Sequence, residues 1–312
     1  MAPVNSADPF RTIAIVGAGA IGTFYGARLV LAGREVRFLM RSDLPLVRER
    51  GIRLVEPAGT RSLHPVQAFG SAGEIGPVDL VVITLKATAN AELPRLLPPL
   101  LHAHTAVLTL QNGLGNEEAV AAVVGVERVL GGLCFIAATR TLPGEVTCGN
   151  PGFMDVGELA GPAQDRTRAV AAMFTAAGVR CTADDRLAEA RWRKLSWNIP
   201  FNGLAIAAGG LTTDRLLADP HHLARIRALM TEVAAAARAL GYDVPASFLQ
   251  RHLDQTPKIG AYRPSSLVDH EAGRPIELEA IWGEPLRRGQ QAGVAMPELA
   301  ALYAELQAAA RR

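Results

Sequence analysis

Cysteine is scarce in this sequence. Cys134, Cys148 and Cys181 are odd in number and far apart, and no C-x-x-C or comparable metal-ligand spacing occurs. A disulfide scaffold and a cysteine-held metal are therefore not expected, and a reduced, cytoplasmic protein is the plain reading. Charge imbalance is also lacking: 32 basic residues face 30 acidic ones, a net charge of +2. No basic run is interleaved with aromatics, which argues against nucleic acid as a partner. The opening "MAPVNSADPFR" carries an acid and two prolines and has no apolar stretch, unlike a secretory signal. One uncharged run, Leu195 to Thr213, is long enough to suggest a membrane span. It contains Asn198, Pro200, Asn202, Gly203, Gly209 and Gly210, which are costly in lipid, so no membrane partner is expected.

What is present is the composition of a soluble globular protein, 49% hydrophobic and 20% charged, in 312 residues that suffice for two ordinary domains. Thr12–Val16, Glu35–Met40, Asp79–Leu85 and Thr105–Leu110 read as strands, the last two apolar on both faces as buried parallel strands should be. Ala20–Ala32, Ala87–Leu101 and Leu114–Val124 alternate with them as helices, the second interrupted by Pro94. This alternation predicts an α/β fold with a Rossmann-type, doubly wound parallel sheet. "GIRLVEPAGTRSLHPV" reads as a small exposed hairpin turning at Ala58–Gly59. After Asp184 helical periodicity takes over, in Asp185–Ser196, His221–Leu240, Ile276–Ala292 and Pro297–Ala310. The expected domains are 1–183, the nucleotide-binding sheet, and 184–312, mostly helical. The apolar Pro297–Ala310 helix could close the core or form the seam of a homodimer.

Arg11–Gly26, "RTIAIVGAGAIGTFYG", places Gly17, Gly19 and Gly22 directly after a strand and at the opening of a helix. That context turns a weak G-x-G-x-x-G match into a dinucleotide site. Gly17 allows the tight turn, Gly19 lets the backbone approach a pyrophosphate, and Gly22 removes a side chain where helix crosses sheet. The first N–H groups of the helix, at Ala20, Ile21 and Gly22, then face phosphate. The alternative is a glycine turn without a ligand. In NAD-binding folds an acid near the end of the second strand holds the ribose 2′-hydroxyl, but here "RFLMRSD" has Met40 and Arg41 at that place. Arg41 with Ser42 suits a 2′-phosphate, so NADP (NADPH) is the expected cofactor. Asp43 falls past the strand end.

Ligands in such sheets bind beyond the carboxyl ends of the strands, where Lys86 and Asn112 fall. Either could instead be an ordinary loop residue. In "RWRKLSWNIPFNGL", Lys194, Asn198 and Asn202 recur every four residues, so one helix face would display all three amid apolar neighbours. Buried polar groups there need partners, which a substrate with hydroxyl and carboxylate groups could supply. Pro200 interrupts the stripe, and a solvated polar face is the other reading. In "RPSSLVDHEAGRPIELE", Ser265 follows a proline in a loop or at a helix start, and Glu277 falls in the helix that follows.

With these residues in view, the chain resembles the 2-dehydropantoate 2-reductase (ketopantoate reductase) family. The likeness is carried by "IVGAGAIGTFYGARL", "MRSD", "TLKA", "QNGLGNEE", "WRKLSWNIPFNGL" and "RPSSLVDHEAGRPIELE", in family order across nearly the whole chain. The resemblance implies a Rossmann domain, a helical domain, an active site in the cleft between them and NADPH as hydride donor. It implies reduction of a small-molecule 2-oxo acid to a 2-hydroxy acid, ketopantoate to pantoate in pantothenate biosynthesis. By position, Lys194 and Glu277 match the family's catalytic pair, and Asn198, Asn202 and Ser265 its substrate-holding residues. Asn112 matches an asparagine beside nicotinamide and substrate, Lys86 a lysine at the cofactor cleft, and Arg41 the contact to the 2′-phosphate. The chain departs from the family at Gly203, where many members have proline, and at Tyr262, where some reductases have asparagine. Another 2-oxo acid, a β-hydroxyacid dehydrogenase-like enzyme and an NADPH-binding redox sensor are the other readings.

Overall fold

A computed structural model describes residues 9–310. The expectation about a secretory signal falls largely on residues 1–8, outside the described residues. Two compact units form: one takes the described chain up to Gln111 together with Asn116–Leu187, the other takes Asn112–Gly115 and the chain from Ala188. The chain thus changes unit at Leu187–Ala188, a few residues past the expected position, and also makes a four-residue excursion near Asn112.

In the first unit, strands β1 (Thr12–Val16), β2 (Glu35–Leu39), β3 (Ile52–Glu56), β4 (Gly59–Leu63), β5 (Gln67–Phe69), β6 (Leu80–Ile83), β7 (Ala106–Thr109), β8 (Val129–Leu142), β9 (Glu145–Glu158) and β10 (Cys181–Ala183) make one sheet. Its order is β4-β3-β9-β8-β7-β6-β1-β2-β5, with β10 also on β9. The run from β8 to β5 is parallel throughout. Period-2 alternation explains why its strands read as unbroken apolar runs. Ile13, Ile15 and Val82 face one core with Phe24, Tyr25 and Phe174, while Ala14, Val16, Val81 and Ile83 face another with Leu93 and Val120. Helices α1 (Ala20–Leu31), α2 (Leu44–Arg50), α3 (Ala72–Ile75), α4 (Leu93–Leu96), α5 (Asn116–Val124) and α6 (Asp165–Ala176) complete the unit.

Three local expectations change in this unit. The hairpin around Ala58–Gly59 forms with Glu56 opposite Gly59, but β3 is not exposed: it pairs with β9 and buries Ile52 and Leu54. The expected helix Ala87–Leu101 is instead a 3-10 turn over Ala87–Glu92, the four residues of α4 and a second 3-10 turn at Pro98–Leu100, as its prolines dictate. Leu114 precedes α5 rather than starting it. The β8–β9 hairpin escapes pattern reading because Gly131, Gly132 and the Asn150-Pro151-Gly152 bulge break its alternation. The scattered cysteines lie on these strands, Cys134 and Cys181 flanking Met154 from either side. Burial pushes the Cys148 thiol up to about 11 and the Cys181 thiol up to about 12, so both are poor nucleophiles.

The second unit is helical: α7 (Leu187–Ala207), α8 (Thr213–Ala218), α9 (Pro220–Ala239), α10 (Ala246–Gln255), α11 (Ser265–Glu271), a π-helical turn (Glu279–Gly283), α12 (Glu284–Gln291) and α13 (Pro297–Ala310). Helix α7 continues through Pro200 to Ala207, eleven residues beyond the expected end at Ser196. Its core gathers Trp192, Phe201, Met230 and Trp282. Leu299, Leu302 and Leu306 of α13 are buried there, so the apolar face of that helix closes the core. Among the described residues no helix is long and apolar enough to cross a membrane.

Candidate active site

The glycine loop joins the end of β1 to α1. Gly17 adopts φ +104°, open to glycine, and a β-carbon there would lie 2.8 Å from the Leu85 nitrogen. At Gly22 a β-carbon would overlap the Gly17 carbonyl and the Thr84 hydroxyl, so that position is closed by the protein itself. Thr84 Oγ1 donates to the Gly17 carbonyl and pins the turn. It ends the β6 stretch and was not singled out from sequence; its one mark there is a hydroxyl following four apolar residues. Gly19 differs from its neighbours. Its φ of −78° suits any residue, and a β-carbon would meet no described atom within 4 Å. Internal packing therefore gives no reason for glycine at 19, whereas a pyrophosphate drawn against the backbone does. Ala20 and Ile21 open α1, and the first N–H groups of a helix have no intrahelical acceptor. The loop fits a dinucleotide.

Gly19→Ala is expected to leave folding intact or to raise stability by about 0.4–1 kcal/mol, since alanine fits the backbone angles. NADPH affinity is expected to fall by about tenfold or more, roughly 1.4 kcal/mol of binding. Thermal unfolding alongside fluorescence titration of the cofactor checks both signs; unaltered affinity would remove the loop from the site.

At the end of the neighbouring strand β2, Arg41 is exposed. Asp43, the acid nearest to the place of a ribose ligand, is buried and engaged. It accepts from Ser42 Oγ at 2.8 Å, the Gly144 N–H at 3.1 Å and Arg140 Nη1 at 3.2 Å. Its work is to tie the β2 end to the β8–β9 hairpin. Lys86, also exposed, follows β6 and precedes the 3-10 turn. The order β6-β1-β2 sets the carboxyl ends carrying Lys86, Gly17–Gly22 and Arg41 side by side, where the strand order reverses.

In the second unit, Lys194 Nζ donates to Asn112 Oδ1 at 2.8 Å, two residues the sequence pattern put in separate clusters. Asn112 belongs here because its segment is seated on the π-helical turn: the Leu114 N–H donates to the Ala280 carbonyl at 2.8 Å. Asn198 is half-buried one turn beyond Lys194 on α7. Asn202 is buried, and its Oδ1 accepts the Ser266 N–H at 3.1 Å. It thereby caps α11, whose own N-cap position is Pro264 with no side chain to offer. Ser265, exposed, is the first residue of that capped helix. Glu277 is only 4% exposed and lies just before the π-helical turn rather than inside a regular helix; its carbonyl accepts the Ile281 N–H at 3.0 Å.

The departures also have places. A β-carbon at Gly203 would lie 2.8 Å from Trp282 Nε1 and 2.7 Å from Leu302 Cδ2. That indole N–H donates to the Ile199 carbonyl at 3.0 Å, so glycine makes room for a hydrogen bond within α7's surroundings. Tyr262 lies beside Trp197, ring centroids 6.2 Å apart, and Trp197 stacks on Phe201 at 4.9 Å. Burial raises the Tyr262 phenol above its ordinary pKa, so it stays protonated. Among the described residues no group of three His, Cys, Asp or Glu side chains could hold a metal.

Known proteins resemble this chain over most of its length. Two family profiles match the chain: Ketopantoate reductase PanE/ApbA over residues 13–161, and Ketopantoate reductase PanE/ApbA C terminal over residues 186–310. The 2-dehydropantoate 2-reductase of Nostoc sp. strain PCC 7120 is 38% identical over 301 residues, covering 95% of this chain and 94% of that protein. The crystal structure of 2-dehydropantoate 2-reductase from Geobacter metallireducens GS-15 superposes with a TM-score of 0.93 at 41% identity, covering 96% and 99% of the two chains. That from Methylococcus capsulatus gives 0.88 at 34% identity, covering 95% and 96%. The chain belongs to the ketopantoate reductase PanE/ApbA family.

Proposed function

We propose that this chain is a 2-dehydropantoate 2-reductase, reducing ketopantoate to pantoate with NADPH. The observation that carries the chemistry is the Lys194–Asn112 pair. Donation from Lys194 Nζ to the Asn112 amide oxygen fixes a proton donor that can also serve an oxygen that becomes negative. NADPH, when bound, supplies the hydride for the ketone carbon. Lys194 stabilises the developing alkoxide and delivers a proton to it as general acid. The Glu277 carboxylate orients the lysine and accepts from a substrate hydroxyl. Asn198, Asn202 and Ser265 hold the remaining oxygens; Asn202 has its amide N–H groups to offer, because its carbonyl oxygen already caps α11. Gly17, Gly19, Ala20, Ile21 and Gly22 hold the pyrophosphate, with Lys86 at the same strand ends. Arg41 binds the 2′-phosphate, a role supported by the engagement of Asp43 elsewhere. A cytoplasmic location, supported by three cysteines outside any disulfide, and a homodimer, to be tested by sedimentation, are part of the same proposal.

The test is initial-rate cofactor oxidation by the purified protein with ketopantoate, NADH running in parallel. Turnover with NADPH, and little with NADH, is the expected result. NADPH binding without ketopantoate reduction would overturn the substrate and leave the fold and cofactor site standing.

A further inference from the structure

We propose that Asn90 and Gly113 are positioning residues that hold Asn112 on Lys194. The effect on turnover rests on the reductase reading above; the geometry does not. Asn90 sits in the 3-10 turn Ala87–Glu92, and nothing in the sequence pattern marks it. Its Oδ1 accepts from Gln111 Nε2 at 2.7 Å, and its Nδ2 donates to Asn116 Oδ1 at 3.0 Å. Gln111 and Asn116 are buried and flank the excursion Asn112–Gly115 on either side. One amide thus clasps both ends of the loop. Gln111 is fixed further by Thr109 Oγ1, which donates to its Oε1 at 2.9 Å.

The crest is fixed as well. Gly113 has φ +92°, and a β-carbon there would overlap the Ala280 carbonyl, the same carbonyl that accepts the Leu114 N–H at 2.8 Å. Only glycine lets the loop seat so closely on the π-helical turn. Asn112 lies between a clasped base and a seated crest, with its Oδ1 2.8 Å from Lys194 Nζ. A loop held at both points meets the lysine in one geometry, and the ordering cost is met in folding rather than during the reaction.

The chain carries three lysines, Lys86, Lys194 and Lys258, which makes an amine-labelling test clean. Full-length protein without cofactor or substrate is treated with acetic anhydride, and the acetylation rate of each lysine is followed by peptide mass spectrometry. Asn112→Ala is expected to raise the Lys194 rate by about fivefold, through loss of one hydrogen bond to its ammonium. Asn90→Ala and Gly113→Ala should raise it comparably, with Lys258 unchanged, and neither should raise it further in the Asn112→Ala background. In turnover, Asn90→Ala should lower kcat by about tenfold without altering KM for NADPH. A wild-type Lys194 rate in Asn90→Ala, or additive effects in the double variant, would overturn the proposal. If Gly113→Ala fails to fold, Asn90→Ala, at a half-buried position, decides alone. If no ketopantoate is reduced even by wild type, the reductase reading fails while the labelling still decides this one.

Discussion

Lys194→Ala is expected to lower kcat for ketopantoate reduction by about 10³–10⁴-fold while changing the Kd for NADPH by no more than about twofold. Two losses combine in this figure: the proton donor, and the positive charge opposite the forming alkoxide. The glycine loop proposed to hold the cofactor is shaped by β1, α1 and Thr84, so binding should survive. Lys194→Arg should not rescue activity. A guanidinium keeps the charge but releases its proton far too reluctantly to act as a general acid, and its planar fork does not match a single amide oxygen. Rapid-mixing kinetics with a separate cofactor titration checks both halves. Equal loss of cofactor affinity would show that the division of roles between the two units is wrong.

Arg41→Ala is expected to raise the Kd for NADPH by about 10- to 100-fold and to leave that for NADH unchanged. A charge-assisted hydrogen bond is worth about 1.5–3 kcal/mol, which corresponds to that range of affinity. The control is Asp43→Asn. Asp43 is bound to Arg140, the Gly144 N–H and Ser42, so its substitution should lower the melting temperature and leave cofactor preference alone. A shift in preference with Asp43→Asn, and none with Arg41→Ala, would assign the ribose to the acid and make the enzyme NAD-dependent.

The parallel strands and the glycine loop were legible in sequence because local rules govern them. Burial on both faces makes IAIV and LVVI apolar throughout, and a G-x-G-x-x-G between strand and helix marks a tight turn with close helix–sheet packing. The polar stripe of α7 was legible for the same reason: Lys194, Asn198 and Asn202 fall on one face by helical period alone. Partners set by tertiary approach were not. Nothing in the neighbourhood of Asn90 announces that it grips Gln111 and Asn116, residues 21 and 26 positions away. Asn202 reads from sequence as a ligand-binding group, and only the fold adds that its carbonyl oxygen caps α11 from 64 residues off. The π-helical turn was likewise hidden, since Glu279–Gly283 carries the pattern of an ordinary helix and the shift in its ladder reflects packing. Pro200 misled in the other direction. It marks a helix break by propensity, yet burial of Ile199, Phe201 and Leu204 on either side keeps α7 continuous.

The excursion of Asn112–Gly115 into the helical unit bears on how such enzymes can be recombined. A crossover placed at Leu187–Ala188 would look like a clean seam, yet the helical half of one relative would then receive its four-residue guest from another. Gly113 and Ala280 are matched to within the width of a methyl group, and Leu114 has a carbonyl waiting for it. Functional chimeras should therefore be those that transplant the short segment together with the C-terminal half, in two pieces, as a single inherited part.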